Sequence, residues 1–331
     1  MRVCRATAML LGLAAAALAV ATAPVDFLPP VRVPAATTAL ATKVPSNALA
    51  QAGRRIVAAG QRGIIVYSDD GKNWRQAEVP VSSDLTALSF VNEKQGWAVG
   101  HEGVVLHTDD GGATWKLQLD GLKIAELLPD FVTQGIDKAL FDVWFENEKS
   151  GYIVGAFGLI LRTEDGGDTW QPWLDHVGDA GDMHLYAIRP AAGTMFIAGE
   201  RGLVLKLDSQ SRQFEKVTVP YDGTLFGVTG TAQTVLVFGL RGNVFRSTDG
   251  GTNWDKVETG EQAGISAGTL RSDGAIVLAS QSGQVLLSTD EGVTFRKLQT
   301  GQAGPAFAVT EAADGNLAIA GFGGVRTEKV E

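Results

Sequence analysis

Two groupings of side chains in this 331-residue chain could do chemistry. The first is a set of aspartates, Asp69, Asp110, Asp165, Asp249 and Asp290, held in a recurring phrase S/T-x-D-x-G-x-T/S/N-W/F. The phrase is full in Thr108–Trp115, Thr163–Trp170 and Ser247–Trp254, and Phe295 replaces the Trp in Ser288–Phe295. It is one residue shorter where Asp69, Gly71, Asn73 and Trp74 stand. Acid–base catalysis needs carboxylates that converge on one substrate. The second grouping is His176, Asp179, Asp182 and His184, two imidazoles and two carboxylates that could ligate zinc or another divalent ion. Its spacing matches no standard site, and an Asp/Gly-rich connection of this kind reads as solvated; His101 and His107 lie elsewhere. No nucleotide loop, G-x-S-x-G elbow or H-E-x-x-H helix occurs. The expectation is no catalytic residue, no metal and no cofactor.

The elements that position these groups repeat. A small apolar run ends in Gly, two variable residues follow, then a second Gly and another apolar run. The second Gly falls at Gly63, Gly103, Gly158, Gly202, Gly242, Gly283 and Gly324, at spacings of 40, 55, 44, 40, 41 and 41 residues. Periods of about 40–45 residues mark solenoids or propellers. In the second repeat, Leu85–Phe90, Gly96–Gly100, Gly103–Thr108 and Thr114–Leu117 read as four short strands with no helical periodicity. The fold expected is all-β: a seven-bladed β-propeller of four-stranded antiparallel blades over residues 46–331. The last repeat has no room for a fourth strand before Glu331. Val31–Val33 or Thr42–Val44 is expected to supply it, closing the ring and covering an edge.

Placed around a ring, the aspartates cannot converge. Their role is mechanical: Asp accepts hydrogen bonds from the N–H groups of its own turn, Gly permits positive φ, and the hydroxyl residues bond locally. Trp74, Trp115, Trp170 and Trp254 each bury apolar area worth about 2–3 kcal/mol.

Ahead of the repeats, Arg2 and Arg5 precede an apolar run from Ala6 to Val20, and small residues at Ala19, Ala21 and Ala23 follow. This reads as a secretory signal over residues 1–23, cleaved after Ala21 or Ala23; an uncleaved anchor is the alternative. Cleavage removes Cys4 and leaves 26 basic against 37 acidic residues, a formal charge of −11. That balance argues against nucleic acid and against anionic lipid. The Pro-rich stretch 24–45 reads as a linker or an arm lying on the domain.

In a propeller the loops between second and third strands gather on one face. The variable pairs therefore form a rim: Gln61-Arg62, His101-Glu102, Ala156-Phe157, Glu200-Arg201, Leu240-Arg241, Gln281-Ser282 and Phe322-Gly323. Arg62, His101, Glu102, Phe157, Arg201, Arg241 and Phe322 could form a mixed recognition surface, since Arg and aromatics dominate interface hot spots. Ordinary solvated loops are the bland alternative. The 55-residue interval holds an insert around Asp120–Gly135 rich in Leu122, Ile124, Leu127, Leu128 and Phe131. It reads either as a short amphipathic helix docked on the propeller or as an exposed patch for a partner.

The turn phrase is that of the Asp-box, or BNR, repeat. Through Val99–Trp115 and Val154–Trp170 the chain resembles the photosystem II stability/assembly factor family of BNR-repeat propellers, over about Leu49–Thr327. The resemblance implies an assembly chaperone that holds a membrane-protein subunit, with an arginine patch contributing to binding in photosynthetic members. The function expected is an exported, monomeric, noncatalytic propeller binding a protein of an envelope or membrane complex. The alternative is a carbohydrate-binding or sialidase-like propeller. Sialidases need three arginines around the substrate, a tyrosine nucleophile with a glutamate, and an acid/base aspartate. Their early R-I-P triplet is absent, and only Tyr67, Tyr152, Tyr186 and Tyr221 are available. Trp97, Trp144 and Trp173 are the tryptophans left for stacking on a sugar.

Overall fold

The computed structural model describes residues 28–133, 138–301 and 304–329. The expected leader, with Cys4, lies outside the described residues, as do linker residues 24–27. Seven antiparallel sheets follow one another in chain order, each with its first strand innermost. The inner strands are Ser46–Ala52, Leu85–Phe90, Leu140–Phe145, Leu185–Ala191, Leu225–Gly230, Ile265–Leu270 and Ala306–Glu311. Each inner strand touches the next, and the last touches the first, so the ring is closed. This is the seven-bladed propeller that the repeat spacing predicts.

Why these segments become strands follows from where their faces go. Second strands such as Gly96–Gly100, Gly151–Gly155 and Val235–Gly239 are buried at every residue because neighbouring blades cover both sheet faces. A strand buried on both sides reads as a continuous apolar run, not an alternation. The core is accordingly a set of wedges between blades. One packs Val57 and Ile65 of blade one against Leu88, Leu106 and Trp115 of blade two. Another packs Trp97 and Val105 of blade two against Phe145, Ile153 and Trp170 of blade three.

Two expectations are corrected. Blades one to six have four strands, but the seventh has three among the described residues, ending with Gly324–Glu328. Val31–Val33 and Thr42–Val44 do not add the fourth. Pro30–Arg32 and Ala41–Lys43 are single 3-10 turns. Residues 28–45 instead form an arm: Ala35 N–H donates to the Val79 carbonyl (3.0 Å), and Ser82 N–H to that of Pro30 (2.9 Å). The Gln76 side chain donates to the Ala36 carbonyl (2.9 Å) and accepts from Thr38 N–H (3.0 Å). These bonds draw the arm along blade one, and its turn Ala41–Lys43 then lies against Gly324 at the start of the last strand without pairing as a strand. There Ala41 joins Ile64, Val66 and Val325 in one apolar cluster.

The second correction concerns the first turn. Asp70, not Asp69, plays the Asp-box part there. Its carboxylate accepts from Lys72 N–H (2.9 Å), Asn73 N–H (2.7 Å), the Asn73 amide (2.6 Å) and the Ser68 hydroxyl (3.0 Å). Asp69 is paired with Arg55 at 2.7 Å. Because this turn lacks one residue, counting back from Trp74 points to Asp69, whereas counting forward from Ser68 gives Asp70. The hydroxyl sets the geometry, because it touches the carboxylate.

The other turns follow the expected mechanics. Asp110 accepts from Ala113 N–H (2.9 Å), Thr114 N–H (3.0 Å) and the Thr108 and Thr114 hydroxyls (2.8 and 2.7 Å). Asp165, Asp249 and Asp290 make the equivalent bonds to Thr169, Asn253 and Thr294. Such bonds hold the Asp249 and Asp290 carboxyls down to about 2. Trp115 and Trp170 are buried, and Trp74 and Trp254 half-buried. Trp115 Nε1 donates to the Gly112 carbonyl at 3.1 Å and Trp254 Nε1 to that of Gly251 at 3.0 Å.

Candidate functional site

The rim hairpins share one backbone geometry. Gly60 N–H donates to the Ile64 carbonyl at 3.1 Å, and Gly100, Gly155, Gly199 and Gly239 do the same in their own blades. Each pair of strands is thus joined by three residues. The middle one sits in the left-handed region in five blades: Arg62 (φ 55°), Glu102 (60°), Phe157 (55°), Arg201 (53°) and Arg241 (57°). A non-glycine residue pays about 1 kcal/mol for that conformation. The hairpin over-determines it, and all five residues are exposed at the turn tips. His101 and Phe322 are exposed too, Phe322 at 66%.

The rim acids are occupied. Glu102 bonds the Ser83 hydroxyl, and Asp84 accepts from Arg62 N–H at 2.7 Å. Glu200 accepts from His184 N–H at 2.9 Å. Among the described residues the guanidinium groups of Arg62, Arg201 and Arg241 make no ion pair.

Below the rim lies a feature that the sequence reading missed. Every inner strand carries a β-bulge at its second residue: Asn47, Thr86, Phe141, Tyr186, Phe226, Ser266 and Phe307. A bulge re-aims the extra side chain, and all seven line one central cavity of 180 Å³. They divide by chemistry. Asn47 donates to the Leu85 carbonyl (2.8 Å) and Thr86 to that of Leu140 (2.7 Å); Ser266 bonds the Ala306 carbonyl. These three staple one blade to the next. Phe141, Tyr186, Phe226 and Phe307 line the same cavity with aromatic rings instead.

Three of those rings are neighbours. Phe141 stacks on Tyr186 with centroids 5.4 Å apart, and Tyr186 meets Phe226 edge-on at 5.9 Å. His184 carries the cluster outward, 5.7 Å from Phe141 and 4.6 Å from Phe157 at the rim tip. Its Nδ1 accepts from Phe157 N–H at 3.1 Å, which fixes the ring. Burial, with Glu200 beside it, holds the Tyr186 hydroxyl above its ordinary pKa. Deeper in the channel Asp142 is buried and accepts from Val143 N–H (2.9 Å), Ile188 N–H (2.8 Å) and Arg189. It ties blade three to blade four, and burial pushes its carboxyl up.

The remaining expected residues fall in different places. His176 stacks on Trp173 at 4.0 Å, while His184 belongs to the channel mouth. Among the described residues no group of three or more His, Cys, Asp or Glu side chains is placed to hold a metal. Trp97 is fully buried against Phe145 at 3.5 Å, so it cannot stack on a sugar. In the insert, Asp120 caps a helix at Gly121–Leu127 by accepting from Leu122 N–H (3.0 Å) and Lys123 N–H (3.1 Å). Arg32 of the arm pairs with the same carboxylate at 3.2 Å. Ile124 is fully buried and Leu128 packs on the same core, whereas Leu122 (66%) and Leu127 (36%) are exposed. Phe131 falls in a second helix, Pro129–Thr133; its side chain and Gly135 lie outside the described residues.

Several known proteins share this architecture. A structure described as YCF48 bound to D1 peptide superposes with a TM-score of 0.66 at 18% identity, covering 92% of this chain and 99% of that one. YCF48 from Cyanidioschyzon merolae gives 0.67 at 18% identity, covering 87% and 96%. A streptogramin B lyase gives 0.72 at 12% identity, covering 88% and 95%, so these likenesses show the fold and not the activity. In sequence, the photosystem II assembly lipoprotein Ycf48 of Synechococcus sp. (strain CC9902) is 31% identical over 98 residues, 29% of this chain and 26% of that protein. The photosystem II stability/assembly factor HCF136 of Arabidopsis thaliana is 27% identical over 103 residues, 30% of this chain and 23% of that protein. The chain thus spans about a quarter of the length of these two curated relatives. The family model described as photosynthesis system II assembly factor YCF48 matches residues 65–128 and 125–295, most of the ring. On that match the chain belongs to the photosystem II assembly factor YCF48 family of BNR-repeat propellers.

Proposed function

We propose that this chain is an exported, noncatalytic propeller that holds a segment of a membrane-protein complex during its assembly, and that the channel mouth is the holding surface. The observation that carries this reading is the mouth itself. Half-exposed rings at Phe141, Tyr186 and Phe226 adjoin a rim where Arg62, Arg201 and Arg241 make no ion pair among the described residues. Arg and aromatic side chains are what protein interfaces use as anchors. Relatives named as photosystem II assembly factors, and a solved relative with a bound peptide, support the same class of function. The signal-like leader supports export.

The test is photo-crosslinking in the producing cell. A photoreactive residue placed at Leu240, exposed on the rim, should trap a subunit of a membrane complex. The same residue at Leu270, exposed at the far end of an inner strand, should not. Equal trapping from both positions, or turnover of a sialoside by the purified protein, would overturn the reading.

A further inference from the structure

We propose that the sector of the mouth between blades three and five is a subsite for one large apolar side chain of an extended peptide, with a neighbouring carboxylate of that peptide reaching Arg201 and Arg241. This rests on the protein-binding reading above and specifies what is recognised. Five rings, Phe141, Phe157, His184, Tyr186 and Phe226, form one connected cluster, with consecutive centroids between 4.6 and 6.0 Å apart. The cluster runs from the channel wall to the rim tip, and none of its members is fully buried. On the opposite side of the ring Asn47, Thr86 and Ser266 spend their polar groups on neighbouring blades. Three of the four aromatic bulge residues therefore cluster in one sector with Phe157 and His184, and Phe307 of blade seven stands apart from them between Ser266 and Asn47.

Size limits the occupant. A cavity of 180 Å³ is below the roughly 300–1,000 Å³ of pockets that enclose a whole small ligand. That volume belongs to the whole channel, which Asn47, Thr86, Asp142, Arg189 and Ser266 line as well as the rings, so the aromatic sector has room for no more than one large side chain. One aromatic or aliphatic side chain fits that space.

Charge selects the neighbour of that side chain. Glu200 is committed to His184 N–H and faces the Tyr186 hydroxyl. Glu261 accepts from Gln262 and Ala263 N–H, both at 2.8 Å, and from the Ser282 hydroxyl at 3.2 Å. Tyr221 feels both Arg241 and the exposed carboxylate of Asp222, but those two groups form no ion pair among the described residues. Arg201 and Arg241 thus remain to meet a carboxylate from the ligand. The Phe157–His184 hydrogen bond holds the rings in place beforehand, which lowers the cost of binding.

The test is selection of a phage-displayed random 12-residue peptide library on the intact protein. Enriched sequences should carry Phe, Tyr, Trp or Leu beside Asp or Glu. Their affinity should fall about tenfold or more in Tyr186→Ala and Phe226→Ala. The exposed pair Arg201→Glu with Arg241→Glu, which leaves the core untouched, should cause a similar loss, and Phe322→Ala should cause none. Enriched peptides without that pairing, or with affinities indifferent to all these variants, would overturn the subsite. So would failure to enrich any sequence, or glycan binding that needs the same rings. In each of those cases crosslinking from Leu240 still decides the broader function.

Discussion

Asp70 and Asp69 stand side by side, yet one builds a turn and the other holds Arg55. The difference is one of reach: the carboxylate two residues past the hydroxyl is the one that can collect the N–H groups of the turn. The same collection depresses Asp249 and Asp290 to about 2, against an ordinary 3.8. A carboxyl with a lower pKa in the folded state contributes stability that is fully present above about pH 4 and is lost as pH falls toward 2. The thermal midpoint should therefore drop over that window. In Asp249→Asn with Asp290→Asn it should start lower at neutral pH and fall less steeply; an unchanged slope would refute the linkage. Asp142, whose pKa is raised by burial, acts with the opposite sign, so the comparison between variants isolates the turns. The five tryptophan- or phenylalanine-ended turns were legible in sequence because all their bonds fall within eight residues. Only the shortened copy misled.

At the scale of the element, the insert combines its two sequence readings. Ile124 and Leu128 are four residues apart, so they share a helix face and dock together, while Leu122 points away and is exposed. Asp120 serves both as helix cap and as partner to Arg32 of the arm. Asp120→Ala should cost about 1 kcal/mol and raise hydrogen exchange in Gly121–Leu127. Arg32→Ala, which removes only a half-exposed ion pair, should leave that helix protected. Equal exchange in the two variants would mean that the cap contributes nothing. The bulges belong to this scale as well. Each bulged residue stands 16 or 17 positions before the second glycine of its repeat, as Phe141 does before Gly158 and Tyr186 before Gly202. Aligning the repeats on that offset reveals a variable position between fixed ones. The signal was present, but its meaning depends on a strand register that no local pattern displays.

For the whole molecule, the ring closes through its inner strands and not through an added outer one. Ser46–Ala52 packs between Leu85–Phe90 and Ala306–Glu311, and the arm meets blade seven through the apolar cluster at Val325 and the close approach of the Thr42 and Lys43 backbone to Gly324. Gly324–Glu328 pairs with Leu317–Gly321 on one side and, among the described residues, with no strand on the other. The corresponding third strand of blade six, Val285–Ser288, is paired on both sides. Outer-edge amides of Gly324–Glu328 should exchange at least about tenfold faster than those of Val285–Ser288, as expected for backbone groups open to water. Equal protection would mean that the blade seven edge is covered.

The sequence by itself determined the number of blades, the order of strands and the chemistry of the turns, because a propeller repeats local interactions and local interactions are written in spacing. It also placed Arg62, Phe157, Arg201 and Arg241 on one rim, since equivalent positions in a ring of like blades share a face. Tertiary structure alone decided that the channel wall is polar in three blades and aromatic in four. It also decided that Phe141, Tyr186 and Phe226 lie ring to ring, and that the arm follows blade one. Those facts depend on how one blade's bulge and backbone meet the next blade's across separations of about forty residues. Contacts at that range follow from the packing of neighbouring sheets and have no signature within a single repeat.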